Sequence, residues 1–305
     1  MTPTAILLVL ISALAHAFWN FLGKRSHPSA AYFLAASLCA GILFLPVLFF
    51  YRGFLPQIPP VVWLLLVLTG CCQAFYYSSL AAAYRSGDLS LVYPLVRAIP
   101  IPLVAVFSLS LGRGQQFTAL GLLGMGLVAV GCILVPLRDL KLGKTISSQR
   151  VQPRTLGFCF MAALGTTGYL LIDDAALRNM RAANISGLSP LGLVLIYMGL
   201  EIFLTILALS IFILANRFER QAWTRVARTG IKPAVISGIV INGGYLLVLA
   251  AMTLARDVSY VTAFRQVSIP IGALMGIWIL KEPSYSLKLA GIATIFAGLL
   301  MVALG

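Results

Sequence analysis

Ten apolar runs, each about as long as a membrane-crossing helix, divide this chain of 305 residues: 4–23, 30–51, 61–84, 88–111, 117–137, 155–175, 187–215, 233–254, 257–280 and 286–304. A spanning helix needs roughly 20 apolar residues, and a segment in lipid must satisfy its own backbone hydrogen bonds. The runs therefore predict an all-α polytopic membrane protein with ten transmembrane helices. Composition agrees, at 60% hydrophobic and 10% charged residues, where a soluble domain carries roughly a quarter charged. Connectors as short as 85–87 and 255–256 make the helices they join antiparallel neighbours. No cleavable leader is expected, because the N-terminus lacks a basic region and 4–23 is long enough to span.

The runs repeat. The stretch 84–113 reads YRSGDLSLVYPLVRAIPIPLVAVFSLSLGR and has a second copy about 168 residues later, at 254–282. Asp88, Ser90, Arg97 and Pro102 correspond to Asp257, Ser259, Arg265 and Pro270. Gln73 and Tyr76 correspond to Asn242 and Tyr245, Gly124 and Gly131 to Gly291 and Gly298, and more weakly Leu14 and Trp19 to Leu164 and Tyr169. Helices one to five thus match helices six to ten. Five is odd, so the second half enters from the opposite side, and the expected architecture is two inverted five-helix repeats. Residues 1–137 form the first repeat, 138–154 a basic inter-repeat loop, and 155–305 the second repeat. A polar stretch at 216–232 links helices seven and eight, read as an orienting loop or a short amphipathic helix with Phe218 and Trp223 at the headgroups.

The formal charge of +14 does not indicate nucleic acid, because the basic residues sit in loops between apolar runs. There they face lipid headgroups and set orientation. Fifteen of the 20 Lys and Arg in the loops or flanking them (Lys288, at the start of the last run, included) fall on the side of the 138–154 and 216–232 loops, which places that side in the cytoplasm and both termini outside. Cys39, Cys71, Cys72, Cys132 and Cys159 are dispersed in apolar runs, without a CxxC pair, so neither a disulfide framework nor a zinc site is expected. No metal or cofactor is expected, and no HExxH or glycine-rich phosphate loop supports an enzyme.

Polar residues inside spans are costly and mark pathways or sites. Arg97 lies about nine residues into its helix, roughly 13 Å deep at 1.5 Å per residue, and Arg265 lies at a similar depth. Both are expected to face a central cavity, with capping of carbonyls freed by nearby prolines as the rival role. Pro94, Pro100, Pro102 and Pro270 each remove a backbone donor one turn from the carbonyl left free, and are candidate hinges. His16, Trp19, Asn20 and Lys24 share one face of the first helix, although Trp19 and Lys24 near its end suit simple interfacial anchoring. Gln73, Tyr76, Tyr77, Asn242 and Tyr245 offer neutral hydrogen bonds and aromatic faces. Tyr93, one turn before Arg97, is expected to share its cavity. Asp173, Asp174 and Glu282 are read as interfacial, which leaves His16 as the one well-buried titratable group besides the arginines and tyrosines. The glycines of helices five and ten predict close packing, either between the halves or in a homodimer.

HAFWN followed by a lysine, then YRSGDLSLVYPLVR-x-x-P, and the second-half arginine, proline and final Lys-Glu resemble the EamA branch of the drug/metabolite transporter superfamily. The likeness runs over nearly the whole chain as two tandem five-helix units. It implies a secondary transporter, multi-pass in the cell (inner) membrane, with a cavity lined by helices one, three, four, six, eight and nine and with helices five and ten away from it. Family members are usually drawn with both termini cytoplasmic, against the charge count here. Glu282 has no counterpart after helix four, where Arg113-Gly114 stands. The expected function is transport of a small polar metabolite, of amino-acid or organic-anion type and in the export direction, by alternating access. Sugars or nucleotide-linked metabolites are the alternative cargo. An integral membrane enzyme or a structural membrane protein is the alternative from another class. Expected partners are the substrate and the lipid bilayer. A coupling proton or counter-substrate and assembly as a homodimer stay open.

Overall fold

The computed structural model describes residues 3–110, 118–137, 152–254 and 265–304, and among them every regular element is helical. The helices are α1 (Pro3–Arg25), α2 (Ala30–Phe50), α3 (Pro60–Ser86), α4 (Leu89–Ala98), α5 (Pro100–Ser110), α6 (Ala119–Leu134), α7 (Pro153–Ala182), α8 (Pro190–Ala215), α9 (Arg217–Arg225), α10 (Ile231–Leu254), α11 (Ser268–Trp278) and α12 (Ser286–Leu304). Among the described residues seven are long and apolar enough to cross a membrane, namely α1, α2, α3, α7, α8, α10 and α12. The apolar helices 89–104, 119–134 and 268–278 are shorter. The molecule is a polytopic helical membrane protein.

Local chemistry sets the helix ends. Ser29, Thr118 and Ser189 each accept a hydrogen bond from a backbone N–H in the first turn of α2, α6 and α8, the usual satisfaction of an orphan donor. The fourth apolar run is interrupted at Ile99, between α4 and α5. Pro100 and Pro102 cannot donate to the carbonyls of Val96 and Ala98, so the helical ladder loses two bonds within one turn. At the start of α4, Asp88 occupies the capping position without using its side chain. The Glu282 carboxylate instead accepts from Leu89 N at 2.7 Å and Ser90 N at 2.8 Å. An acid from the far end of the sequence thus caps α4 and complements its dipole.

The helices pack as α1 on α10, α3 on α7, α2 on α8, α4 on α11 and α6 on α12. The α6–α12 seam depends on glycine. A Cβ on Gly124 would stand 2.6 Å from the Gly298 carbonyl oxygen, and one on Gly298 would stand 2.6 Å from that of Gly124. Gly131 and Gly291 oppose each other in the same way, at 2.8 and 3.0 Å. Gly124 meets Gly298 and Gly131 meets Gly291, so the two helices run antiparallel. Lipid offers no hydrophobic drive between helices, and backbone approach of this kind supplies the dispersion contact instead. The stripe therefore joins a helix from the middle of the chain to its last helix.

One end of the bundle is closely bonded. Lys24 Nζ donates to the carbonyls of Tyr84 and Gly87, each at 2.6 Å, and so occupies the C-terminal end of α3. Tyr32 OH lies 2.6 Å from Ser237 Oγ, and Thr155 Oγ1 donates to Ser86 O at 2.8 Å. The polar stretch after α8 folds as α9, with Phe218 exposed and the Arg85 guanidinium 5.0 Å from its ring centroid. Glu219 turns inward, pairs with Arg85 at 3.3 Å and accepts from Ala31 N. Asp257, Ser259, Arg113, Gly114, the 255–256 connector and all of the basic loop up to 151 lie outside the described residues.

Candidate functional site

A cavity of about 490 Å³ occupies the middle of the bundle, within the size range of small-molecule sites. Helix α1 contributes Ser12, His16 and Trp19, and α3 contributes Gln73, Tyr76 and Tyr77. Helices α4 and α5 give Val96, Arg97, Pro100 and Ile101, and α10 gives Asn242 and Tyr245 among others. Arg265 and Gln266 lie just before α11. Most of the polar residues singled out in the sequence thus converge on one space, although they are up to 249 positions apart along the chain. No residue of α6 or α12 lines it.

The two arginines sit in one wall. Arg97 Nη2 approaches Gln266 Oε1 at 3.5 Å. The Nε atoms of Arg97 and Arg265 are buried and have no hydrogen-bond partner among the described residues. Pro270 cannot donate to the Gln266 carbonyl, which accepts from Ile269 N at 2.9 Å instead, and Pro102 likewise cannot donate to that of Ala98. Beside this wall, Tyr93 OH and His16 Nδ1 are hydrogen-bonded at 2.9 Å. His16 packs against Trp19 with ring centroids 5.3 Å apart.

Several expected cavity residues lie elsewhere. Asn20 is buried but does not line the cavity. It accepts from Tyr84 OH at 2.8 Å and donates to His16 O at 2.8 Å, fastening α1 to α3. Tyr93 stands behind His16, with its ring against Gly272, where a Cβ would come within 2.5 Å. Lys24 belongs to the end of α3, as described above. Of the four candidate hinge prolines, only Pro100 lines the cavity. Helices α2 and α8, absent from the expected lining, contribute Phe33, Ser37, Met198 and Ile202 among others.

The sequence reading of the acids needs correction. Asp173 is not interfacial, because α7 continues to Ala182 and carries it well inside the bundle. Its Oδ1 accepts from Thr69 Oγ1 and from Tyr197 OH, both at 2.6 Å. Glu201, overlooked in the sequence, lies within α8 and faces the same cavity, accepting a hydrogen bond from Gln73 Nε2. His16 is therefore not alone among the arginines and tyrosines as a buried titratable group. A lone acid in the otherwise apolar 26-residue α8 was the available signal, since ionisable residues in spans mark sites by default. Tyr169, the counterpart of Trp19, and Thr166 also line the cavity.

The fold and its cavity define a class first: a polytopic helical membrane protein with a polar chamber between its helices. Residues 3–137 match the model of the EamA-like transporter family, consistent with a transporter of the drug/metabolite superfamily and with the resemblance read from the sequence. No curated protein matches the chain.

Proposed function

We propose that the chain is a secondary transporter that moves a small polar metabolite bearing a carboxylate or phosphate, in the export direction, by alternating access between two inverted halves. The single observation that carries the substrate reading is the placement of Arg97 and Arg265 on one cavity with buried Nε atoms that have no partner among the described residues. Guanidinium groups hold carboxylates and phosphates bidentately, and they are expensive to bury for packing alone. The match of residues 3–137 to a transporter family supports transport over chemistry on the substrate.

The helix packing supports the inverted halves. If helix n of the first five corresponds to helix n of the second, exchanging the halves turns the α1–α10 contact into α7–α3, and both exist. The Gly124–Gly298 contact becomes Gly291–Gly131, and that exists too. A twofold axis relating two antiparallel helices runs perpendicular to both, hence in the membrane plane. On this reading ten spans divide into repeats at 1–137 and 155–305, in the cell membrane.

The test is counterflow into proteoliposomes of the purified chain, using labelled organic acids, amino acids, phosphate esters and sugars. Saturable exchange of carboxylates or phosphates above protein-free liposomes is expected. Exchange confined to uncharged sugars would remove the arginine-based reading, and product formation without transport would favour an enzyme.

A further inference from the structure

The two ends of the bundle are built differently. Hydrogen bonds bring the end of α1, the end of α3 and the starts of α2, α7 and α10 together at the end that carries α9. Among the described residues, none from 20–32, 78–95, 153–165 or 206–239 lines the cavity, and these are the stretches that meet there. Toward the other end the lining reaches Leu177, five residues short of the end of α7, and Val194, four residues into α8. The cavity is therefore floored at the α9 end and approaches the opposite one.

That floor is fastened at one connector, residues 84–90, which lead from α3 into α4. Lys24 of α1 donates to Tyr84 O and Gly87 O, and Thr155 of α7 donates to Ser86 O. Glu282, between α11 and α12, accepts from Leu89 N and Ser90 N. Lys288 of α12, only 1% exposed, donates to Ser90 Oγ at 3.0 Å and to Pro283 O at 2.6 Å. The ammonium of Lys24 meets the carbonyl end of α3 and the carboxylate of Glu282 meets the N–H end of α4, each matched to the helix dipole. The chain is strained where it presents Glu282. Lys281 just before it has φ 55°, a left-handed conformation that non-glycine residues rarely adopt. Gly276 makes room for the carboxylate, since a Cβ there would stand 2.4 Å from Glu282 Oε2 and 2.7 Å from Ser90 N. Strain of this kind persists only where surrounding contacts hold it, and it collects at switch regions.

The connector belongs to the first repeat, whereas Thr155, Glu282 and Lys288 belong to the second. Any movement of one half against the other that opens the α9 end has to part them. We infer that Glu282 is the latch of a gate on the α9 face: while it caps α4 the cavity is reached from the opposite face, and its release opens the α9 end. This rests on the proposed movement between two inverted halves. By the repeat, the matching latch on the opposite face needs an acid after helix four, where the sequence has Arg113-Gly114. The two gates are therefore unequal, and the empty carrier rests with the α9 end shut.

The test reads access to the cavity from each face of the full chain in membrane vesicles. Ser37 lines the cavity, and Ser37→Cys, in a background without the five native cysteines, is labelled by an impermeant thiol reagent in right-side-out and inside-out vesicles with no cargo present. Gln221→Cys on α9 identifies the α9 face in the same vesicles. With Glu282 intact, labelling is expected to be faster from the opposite face. Removing a charge-assisted hydrogen bond shifts an equilibrium by roughly ten- to a hundredfold, so Glu282→Ala should raise the rate from the α9 face by about tenfold or more. Thr155→Val, a smaller change that parts the same connector from α7, should move that rate in the same direction and carries the test if Glu282→Ala does not fold. Asn20→Ala loosens the same end within one half, between α1 and α3, and should leave the ratio of the two rates unchanged. A Glu282→Ala protein that melts lower but keeps the original ratio overturns the latch and leaves Glu282 as a cap of α4 alone. Equal rates from the two faces with Glu282 intact overturn the resting asymmetry. No cargo enters these rates, so they stand apart from counterflow. Failed counterflow with a ratio that depends on Glu282 removes the substrate reading and upholds the latch, whereas working counterflow with an unchanged ratio removes the latch alone.

Discussion

Arg97 and Asn20 are both polar residues inside apolar helices, and the structure gives them different surroundings. Arg97 borders the cavity with a buried Nε that lacks a partner. Asn20 is 2% exposed and spends its side chain on Tyr84 and His16. Substitutions should separate them. Arg97→Gln is expected to keep folding and expression while weakening apparent substrate affinity, since a charge-assisted hydrogen bond contributes about 1.5–3 kcal/mol, or roughly ten- to a hundredfold. Arg97→Lys should recover only part, because a point charge does not reproduce the planar fork. Asn20→Ala should do the reverse. It strands the buried Tyr84 hydroxyl, so it should lower thermal stability by about 1–3 kcal/mol with apparent affinity unchanged. Thermal melts and counterflow on the same preparations decide both cases, and an affinity loss in Asn20→Ala would place it in the site.

At the scale of helices, the α6–α12 seam is the sharpest dependence of packing on sequence. Gly124→Leu puts side-chain atoms where the Gly298 carbonyl stands 2.6 Å from an added Cβ. Overpacking of that kind costs typically 1–3 kcal/mol and more when backbone must move. The expected result is a marked loss of folded protein in detergent, without a change in apparent affinity for the molecules that survive. Gly126→Leu is the control, because an added Cβ there meets nothing within 4 Å. Equal melting temperatures for the two variants would contradict the seam. What the sequence revealed at this scale followed the repeat: the arginines, the Gln73/Asn242 and Tyr76/Tyr245 pairs and the glycines all occur twice. Asp173 and Glu201 occur in the second half alone, so the repeat does not mark them as site residues. Asp173 reads as interfacial because the apolar run stops at residue 175, whereas the amphipathic turns after it extend α7 to Ala182. Hydropathy marks where apolar residues stop, not where a helix stops. Glu282 has no repeat partner either, and its role as the cap of α4 emerges only from a contact across 193 positions of the chain.

For the whole molecule, orientation follows from charge. If all ten apolar runs span, 15 of the 20 Lys and Arg in or flanking the loops lie on the face that carries α9, so α9 is expected in the cytoplasm. In a background without the five native cysteines, Gln221→Cys should resist an impermeant thiol reagent applied to intact cells and react after permeabilisation. Ready labelling of intact cells would reverse the orientation while leaving the cavity as described. The central claim is that this cavity is reached from each side of the membrane in turn. Ala36 lines it and is small enough to become cysteine in the same background. Labelling of Ala36→Cys by an impermeant reagent is measured in right-side-out and in inside-out vesicles, with and without a transported substrate. The account predicts labelling from both sides, slowed in both by substrate. Labelling from one side alone, unchanged by substrate, would contradict it.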